Sequence, residues 1–240
     1  IEALAADCRD EEACRERVGD VTADITAVVD RLDATPYSGT DEDGRPLVVT
    51  GDDAVSGLFV SLYDSSLIPL LPEAIDSLAR GNDMLIPVMA GAAVPVMNDT
   101  SEGAYLSYEC ADNARLDSGA AGSDTVDGAT QGTLLLLSGW YLMCDLWDVE
   151  PTPASFDDPV VSTIPTLVIA GEYDPITPAS RSRAIAASLD RSLYVEVPRG
   201  GHTPGSASSC VREVIASFVT DPEHTNRGCI DAQEPVPFGG

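Results

Sequence analysis

Apolar residues at helical spacing predict that the first part of the chain is mainly helical. One helix is expected to begin after Asp20, a favourable N-cap residue. The apolar residues that follow fall on one helical face: Val21, Ile25, Val28, Val29 and Leu32. A second amphipathic pattern covers residues 55–63, and Pro72 is expected to open a third helix that ends near Gly81.

Less regular segments separate these helices. The stretch 40–46 is rich in turn-forming residues and leads into a strand-like run at 47–50. Residues 118–132 mix Gly, Ala, Ser and Asp without a period and predict a mobile loop, whereas residues 134–147 predict a helix. Residues 1–150 are therefore expected to form one mainly helical region.

The hydrophobic period changes in the last part of the chain. Short apolar runs at 166–170 and 193–197 predict two buried strands. Each run is followed by a helical pattern, at 179–189 and at 208–219. Strands that alternate with helices are typical of a parallel sheet covered by helices, so the sequence predicts an α/β fold.

The predicted domain organisation is a helical region, a linker and an α/β segment. Two prolines within residues 151–158 mark residues 151–162 as the linker, and residues 163–240 carry both predicted strands. In this segment, the helix 179–189 is expected to turn Ile185 and Leu189 towards the sheet. Since two parallel strands do not form a stable sheet by themselves, the sheet is expected to continue in residues outside these 240.

The loops that follow the two predicted strands carry an aspartate and a histidine. The first strand leads to Asp174, and the second leads through Gly200 and Gly201 to His202. Taken singly, Asp174 is typical of a turn before Pro175, and His202 of a loop. Because the carboxyl ends of parallel strands share one edge of a sheet, the two side chains are expected to lie together. A carboxylate that orients a histidine is what a hydrolytic triad requires, in the chain order of α/β-hydrolases.

The sequence contains no clear nucleophile for such a triad. None of its serines lies in the G-x-S-x-G pattern of a nucleophile elbow: the positions two residues before and two residues after Ser56 and Ser138 hold no glycine. Cys110 is a weaker candidate, because a disulfide to Cys144 would remove its thiol. His224 lies in a polar stretch and is expected to be exposed. The serine is therefore expected to come from outside this chain.

Charge excludes several classes of partner. The chain has 40 acidic and 13 basic residues, all of the latter arginine, and a formal net charge of −27. Such a protein has no basic surface for nucleic acid or for an anionic membrane, and the acidic residues are interpreted as a solvated shell. The longest apolar run, residues 85–97, contains two prolines and is shorter than the ~18 residues that a membrane helix needs.

Six cysteines form three local groups: Cys8 with Cys14, Cys110 with Cys144, and Cys210 with Cys229. The absence of C-x-x-C spacing and the presence of only two histidines argue against a metal site. An even count favours disulfides in an oxidising compartment, paired in sequence order, although the sequence alone allows other pairings or six free buried thiols.

These residues resemble the tripeptidyl-aminopeptidase-like branch of the α/β-hydrolase peptidases, which are relatives of prolyl iminopeptidase. The resemblance spans nearly the whole chain and is most specific around the aspartate and the histidine. The segments that carry it are Pro165–Pro178, Gly200-Gly201-His202, Cys210–Cys229, Cys8–Cys14, residues 62–71, residues 108–112 and residues 144–147.

The resemblance implies a secreted or cell-envelope serine exopeptidase that acts on free peptide N-termini without a cofactor. It implies that Asp174 is the triad acid and His202 the base, and that residues 1–150 are a helical cap. Cap carboxylates in this family can bind a substrate's α-ammonium group, and Glu109 and Asp112 are the candidates. The half of the hydrolase fold that carries the nucleophile would come from the same polypeptide or from a companion chain.

Two alternatives remain open from the sequence. One is a non-catalytic module that uses the cap as a peptide-binding or partner surface, in which case an interface must cover the exposed sheet edge. The other keeps the hydrolase fold and changes the substrate to an ester, because the packing that shapes a cap cleft is not visible in a sequence.

Overall fold

The structure, a computed structural model, describes four segments of the chain: residues 1–41, 43–89, 101–113 and 143–239. Contacts divide the chain into two units. The first unit consists of residues 1–20, 61–73 and 159–240, and the second of residues 21–60 and 74–158. The predicted boundaries at residues 150 and 162 stay a prediction.

The described residues contain both α-helices and β-strands. The helices are α1 (Glu2–Asp10), α2 (Glu12–Arg17), α3 (Val21–Ala34), α4 (Gly51–Ser61), α5 (Leu71–Ala79), α6 (Glu102–Asn113), α7 (Ala179–Ser188), α8 (Pro204–Ala207), α9 (Ser209–Thr220) and α10 (Gly228–Asp231). The strands are β1 (Tyr37–Thr40), β2 (Pro46–Val49), β3 (Thr166–Gly171) and β4 (Ser192–Val197). Single 3₁₀ turns are found at Ile68–Leu70, Asp83–Leu85, Ala154–Asp157 and Pro222–His224.

Three helices of the first 80 residues match the predicted patterns. In α3, the buried residues are the five that the sequence placed on one face: Val21, Ile25, Val28, Val29 and Leu32. The helices α4 and α5 lie where the second and third patterns predicted them. The predicted loop at 118–132 lies outside the described residues, as does most of the predicted helix at 134–147.

A short antiparallel hairpin, formed by β1 and β2, interrupts the helices of the second unit. The sequence predicted only the second of its strands, because the first contains Ser, Gly and Thr and carries no alternating apolar pattern. Asp41 Oδ1 accepts hydrogen bonds from the N–H groups of Asp43 (3.0 Å) and Arg45 (2.7 Å) in the turn. Val49 anchors the hairpin in a core cluster with residues of α3, of α5 and of the following turn: Val28, Leu32, Leu78 and Ile86.

The first unit contains a parallel sheet of two strands, β3 and β4. Their register pairs Thr166 with Ser192 and Gly171 with Val197, so both strands end at the same edge. One face of the sheet packs against α9 and α10 around a buried apolar cluster: Val195, Val197, Val211, Val214 and Ile230. This strand–helix–strand–helix order agrees with the predicted α/β arrangement.

The buried face of the helix α7 is not the one that the sequence predicted. Ile185 is 58% exposed, and Ala186 is the buried residue of this helix. The prediction that Ile185 lies on the inner face was therefore wrong. We attribute the error to the size of the side chains, because a small residue such as alanine lets the helix approach the sheet closely.

Three disulfides join the cysteines in the predicted order: Cys8–Cys14, Cys110–Cys144 and Cys210–Cys229. The first links α1 to α2, and the third links α9 to α10. Three disulfides are compatible with an extracellular protein. Within the described ranges, none of the helices combines the length and the apolar character needed to span a bilayer.

Candidate active site

Asp174 is held by the turn that follows β3. Its Oδ1 atom accepts hydrogen bonds from the backbone N–H groups of Ile176 and Thr177, both at 2.9 Å. Its Oδ2 atom accepts a third from the Thr177 hydroxyl at 2.7 Å. The residue is therefore a turn residue, as its position before Pro175 indicates. Its carboxylate is also fixed in one orientation.

These hydrogen bonds determine the ionisation of Asp174. Burial raises the pKa of its carboxyl group, but hydrogen bonds from the backbone and hydroxyl of Thr177, from His202 and from the backbone of Ile176 lower it more. The net effect is a pKa below the ordinary value of 3.8. The group is consequently a carboxylate at neutral pH and accepts hydrogen bonds without donating them.

His202 reaches this carboxylate from the loop after β4. Its Nδ1 atom lies 3.0 Å from Asp174 Oδ2 and 3.1 Å from Oδ1. Because a carboxylate only accepts, Nδ1 carries the proton in this pair, and Nε2 then has a free lone pair. The Asp174 side chain is 4% exposed and that of His202 is 24% exposed. The carboxylate is thus shielded, while the imidazole remains accessible to a reacting group.

The two loops that carry the pair are tied to each other by their backbones. The N–H of Tyr173 donates to the carbonyl oxygen of Gly200 at 2.9 Å. Glycine is required here, because a Cβ on Gly171 would overlap the carbonyl oxygens of Gly200 and Gly201. The aspartate and the histidine therefore sit on adjoining turns with little room to move apart.

A third segment of the first unit, residues 62–65, supports the histidine loop. The Gly201 N–H donates to Ser65 Oγ at 2.9 Å, and the His202 N–H donates to the carbonyl oxygen of Leu62 at 3.3 Å. The Tyr63 ring meets the His202 ring edge-on, with centroids 4.9 Å apart. The residue pattern did not reveal these contacts, because it placed Leu62 and Tyr63 in an amphipathic helix.

The charge of Asp174 also affects the ionisation of Tyr63. Burial raises the pKa of its phenol, and the nearby negative charge of Asp174 raises it further. The phenol therefore stays neutral across the physiological range, and it covers one side of the imidazole without adding a charge.

The other predicted site residues lie away from this pair in the sequence. Glu109 and Asp112 flank the disulfide-bonded Cys110 on α6, in the second unit; Glu109 is half-buried and Asp112 is exposed. Their substrate-binding role stays a prediction. His224 is 83% exposed and pairs with Asp221 at 3.0 Å.

The chemistry available at the site is acid–base chemistry. Among the residues that the structure describes, no three His, Cys, Asp or Glu side chains come together as a metal site would require. An imidazole whose Nδ1 is held by a buried carboxylate can take a proton at Nε2 from a nucleophile and return it to a leaving group.

Part of this chain is similar to a known protein family. Residues 136–229 match the family model described as TAP-like protein. The matched segment contains β3, Asp174, β4 and His202. The match confirms the resemblance to tripeptidyl-aminopeptidase-like proteins over this segment, and the parallel βα units are consistent with a portion of an α/β-hydrolase fold.

Proposed function

We propose that this chain is the carboxyl-terminal portion of a secreted serine hydrolase that releases short peptides or residues from free N-termini. The observation that carries the proposal is the 3.0 Å contact between His202 Nδ1 and Asp174 Oδ2 at the ends of two adjacent parallel strands. The match to the TAP-like family supports the hydrolase class. Three disulfides support a compartment outside the cytoplasm.

In the proposed reaction, His202 is the general base and then the general acid. Its Nε2 takes the proton of a serine hydroxyl while the serine oxygen bonds to the carbonyl carbon of the substrate. The same proton passes to the departing amine nitrogen as the C–N bond breaks, which leaves an acyl-enzyme. Water then releases the acyl group by the same route. Asp174 keeps the imidazole in the required tautomer and stabilises its protonated form.

The serine is proposed to lie outside these 240 residues, in the same polypeptide or in a companion chain. No serine of the sequence follows a glycine at the spacing of a nucleophile elbow. The peptide substrate would present its α-ammonium group to Glu109 and Asp112. No cofactor is required, because the acid, the base and the serine complete the chemistry.

The test uses the complete protein encoded by the gene and a fluorophosphonate, which labels activated serines. We expect labelling at one serine, which mass spectrometry places outside residues 1–240, together with hydrolysis of unblocked peptide substrates. His202→Ala should abolish both, since the nucleophile is no longer activated. His224→Ala is the matched control, because His224 also pairs with an aspartate but is exposed.

Each outcome has a distinct meaning. Full activity of His202→Ala would overturn the proposed base. A labelled serine inside these 240 residues would overturn the proposed origin of the nucleophile. Faster hydrolysis of esters, with no turnover of peptides, would replace the peptidase by an esterase. A complete protein with neither labelling nor turnover would favour the non-catalytic binding module.

A further inference from the structure

We propose that Arg199 is a positioning residue that sets the tautomer and alignment of His202, by clamping the loop that carries His202 to the bend at Glu11, between α1 and α2, and to residues 236–239. The inference rests on the proposed role of His202 as the base. Arg199 lies three residues before His202, and its side chain contacts Glu11, Val236 and Phe238 rather than the imidazole or the carboxylate. Its role would therefore be exerted through the backbone of the loop.

Arg199 is buried to an unusual degree for a charged side chain. It is 9% exposed, although arginine is seldom buried unless it is paired. Its guanidinium lies 2.7 Å from Glu11 Oε2 and stacks over the Phe238 ring, with 3.7 Å between the guanidinium carbon and the ring centroid. A further N–H donates to the carbonyl oxygen of Val236. The side chain thus has an ion pair, a stacked ring and a hydrogen bond to a backbone carbonyl.

Glu11 connects the arginine to the tail. Its Oε2 atom pairs with Arg199, while its Oε1 atom accepts from the Phe238 N–H at 3.0 Å. Glu11 lies between Cys8 and Cys14, and their disulfide closes the short turn that presents it. The Gly239 N–H donates to the carbonyl oxygen of Pro69 at 2.9 Å and fastens the end of the tail. Segments far apart in the sequence thus converge on one guanidinium.

The backbone of the loop shows why such a clamp is needed. Arg199 has a φ of +50° and Thr203 a φ of +51°, so non-glycine residues adopt the left-handed region on both sides of His202. This conformation is unfavourable for residues with a Cβ, and it persists only where the surroundings enforce it. The Arg199 N–H donates to Glu172 Oε2 at 2.7 Å, which holds the backbone from the other side.

Removing the clamp should therefore let the loop relax towards an ordinary backbone conformation. Such a change would move the imidazole with respect to Asp174, since Gly200 and Gly201 are the only residues between Arg199 and His202. A misplacement of about 1 Å in a catalytic group can lower the rate about 100-fold. The apolar cluster that packs the sheet against α9 and α10 does not include Arg199, so the core contacts of the sheet are not removed by the change.

The first experiment measures the tautomer of His202 by ¹⁵N NMR in this chain, at a pH high enough for both imidazoles to be neutral. Only two histidines are present, and His224→Gln assigns their signals. In the wild type we expect the Nδ1–H form to predominate at His202. Arg199→Gln and Glu11→Gln should each shift His202 towards the Nε2–H form that free imidazole prefers. In the double variant, Arg199→Gln with Glu11→Gln, the shift in the His202 tautomer should equal the larger of the two single shifts, because both changes remove the same contact.

The matched control is the ion pair at the opposite end of the same strand. Arg191 directly precedes β4 and pairs with Glu223, whereas Arg199 follows β4. Arg191→Gln should leave the His202 tautomer unchanged. In the complete enzyme, Arg199→Gln and Glu11→Gln should lower kcat about 10-fold to 100-fold with little change in KM. Arg199→Lys keeps the positive charge but loses the planar guanidinium with its paired N–H donors. We therefore expect its kcat to lie between that of Arg199→Gln and that of the wild type.

If the His202 tautomer is unchanged in Arg199→Gln and Glu11→Gln, the proposed positioning role of Arg199 is wrong. The same conclusion would follow if Arg191→Gln moved the tautomer as much as Arg199→Gln. Should Arg199→Gln fail to fold, Glu11→Gln decides the question, because it keeps an acceptor for the Phe238 N–H. The proposed function fails separately: a fully active His202→Ala enzyme would remove the catalytic role and leave the tautomer measurement valid.

Discussion

The Oδ2 atom of Asp174 lies 3.0 Å from the Nδ1 atom of His202, and three further hydrogen bonds hold the same carboxylate. The pair of His224 and Asp221 has the same separation, 3.0 Å, but both of its side chains are exposed. The chain thus contains two histidine–carboxylate contacts of equal length in opposite environments. Because water screens the exposed pair, only the shielded pair is expected to be a strong interaction.

Acid should remove the stabilisation that comes from Asp174. Its pKa in the folded protein lies below the ordinary 3.8, so the charged form binds its partners and stabilises the fold at any pH above about 4. This contribution is lost as the pH falls through the folded-state pKa. At pH 5, where the carboxylate is charged, the free energy of unfolding of Asp174→Asn should therefore lie below that of the wild type. The gap should narrow below about pH 4.

Urea unfolding at a series of pH values measures that difference. Asp221→Asn is the control: the pKa of Asp221 is also lowered, chiefly by its hydrogen bond from His224, but the group is exposed. We expect a much smaller stability difference for this variant. A gap between wild type and Asp174→Asn that widens as the pH falls below about 4 would contradict the assignment of Asp174 as a stabilised carboxylate.

Close backbone packing beneath the histidine should make Gly201 intolerant of a side chain. A Cβ at this position would overlap the carbonyl oxygen of Leu62 and press on the backbone of Tyr63. Overpacking of this kind lowers the free energy of unfolding by about 1–3 kcal/mol. We expect Gly201→Ala to lose that amount in chemical denaturation, and to lose activity in the complete enzyme because the backbone of His202 must shift.

Gly57→Ala provides the comparison. This glycine lies within α4, and an added Cβ would meet Met89 at an ordinary distance of 3.6 Å. Alanine in a helix is favoured over glycine by about 0.5–1 kcal/mol, so this variant should be as stable as the wild type or more stable. Equal stability of Gly201→Ala and the wild type would show that the loop accommodates the extra carbon.

Local patterns predicted the elements of the α/β segment well. The strands β3 and β4 lie within one residue of the predicted runs at 166–170 and 193–197. The parallel register then brings Asp174 and His202 to one edge, as the shared direction of the strands implies. The catalytic role of the pair is not settled by this proximity and stays a prediction. Short buried strands are predictable because their apolar runs are continuous.

The supports of the site were not predictable in the same way. Ser65 meets Gly201 across 136 positions of sequence, and Glu11 meets Arg199 across 188. Neither contact leaves a period or a spacing in the sequence, since each depends on how distant segments pack. The inward face of α7 was also predicted wrongly at Ile185, because periodicity selects the larger apolar residue where close packing selects Ala186.

The carboxylates beside Cys110 offer a test of substrate binding. If Glu109 and Asp112 bind the α-ammonium group of a peptide, the combined change Glu109→Gln with Asp112→Asn should raise KM. We expect an increase of about 10-fold, equivalent to about 1.4 kcal/mol of binding free energy. The effect on kcat should be small, because this contact is made equally in the ground state and in the transition state.

Steady-state kinetics of the complete enzyme on an unblocked peptide substrate measures both constants. Glu102→Gln is the matched control, since Glu102 is an exposed carboxylate in the first turn of the same helix. Unaltered KM in the double variant, or an equal rise in the control, would mean that these carboxylates are ordinary acids of the surface.

Added salt should stabilise the chain, because its charges repel one another. The formal net charge is −27, with 40 acidic residues against 13 arginines. Self-repulsion of this kind opposes the compact state, and raising the ionic strength from 0.1 M to 1 M shortens the screening length from about 10 Å to about 3 Å. We expect a rise in Tm of a few degrees, where each kcal/mol moves the Tm by about 2–4 °C for a chain of this size. Differential scanning fluorimetry in sodium chloride measures the rise, which should be steepest below about 0.5 M if screening is its cause. A Tm that does not move with salt, or one that rises only at the highest concentrations, would count against this interpretation of the acidic shell.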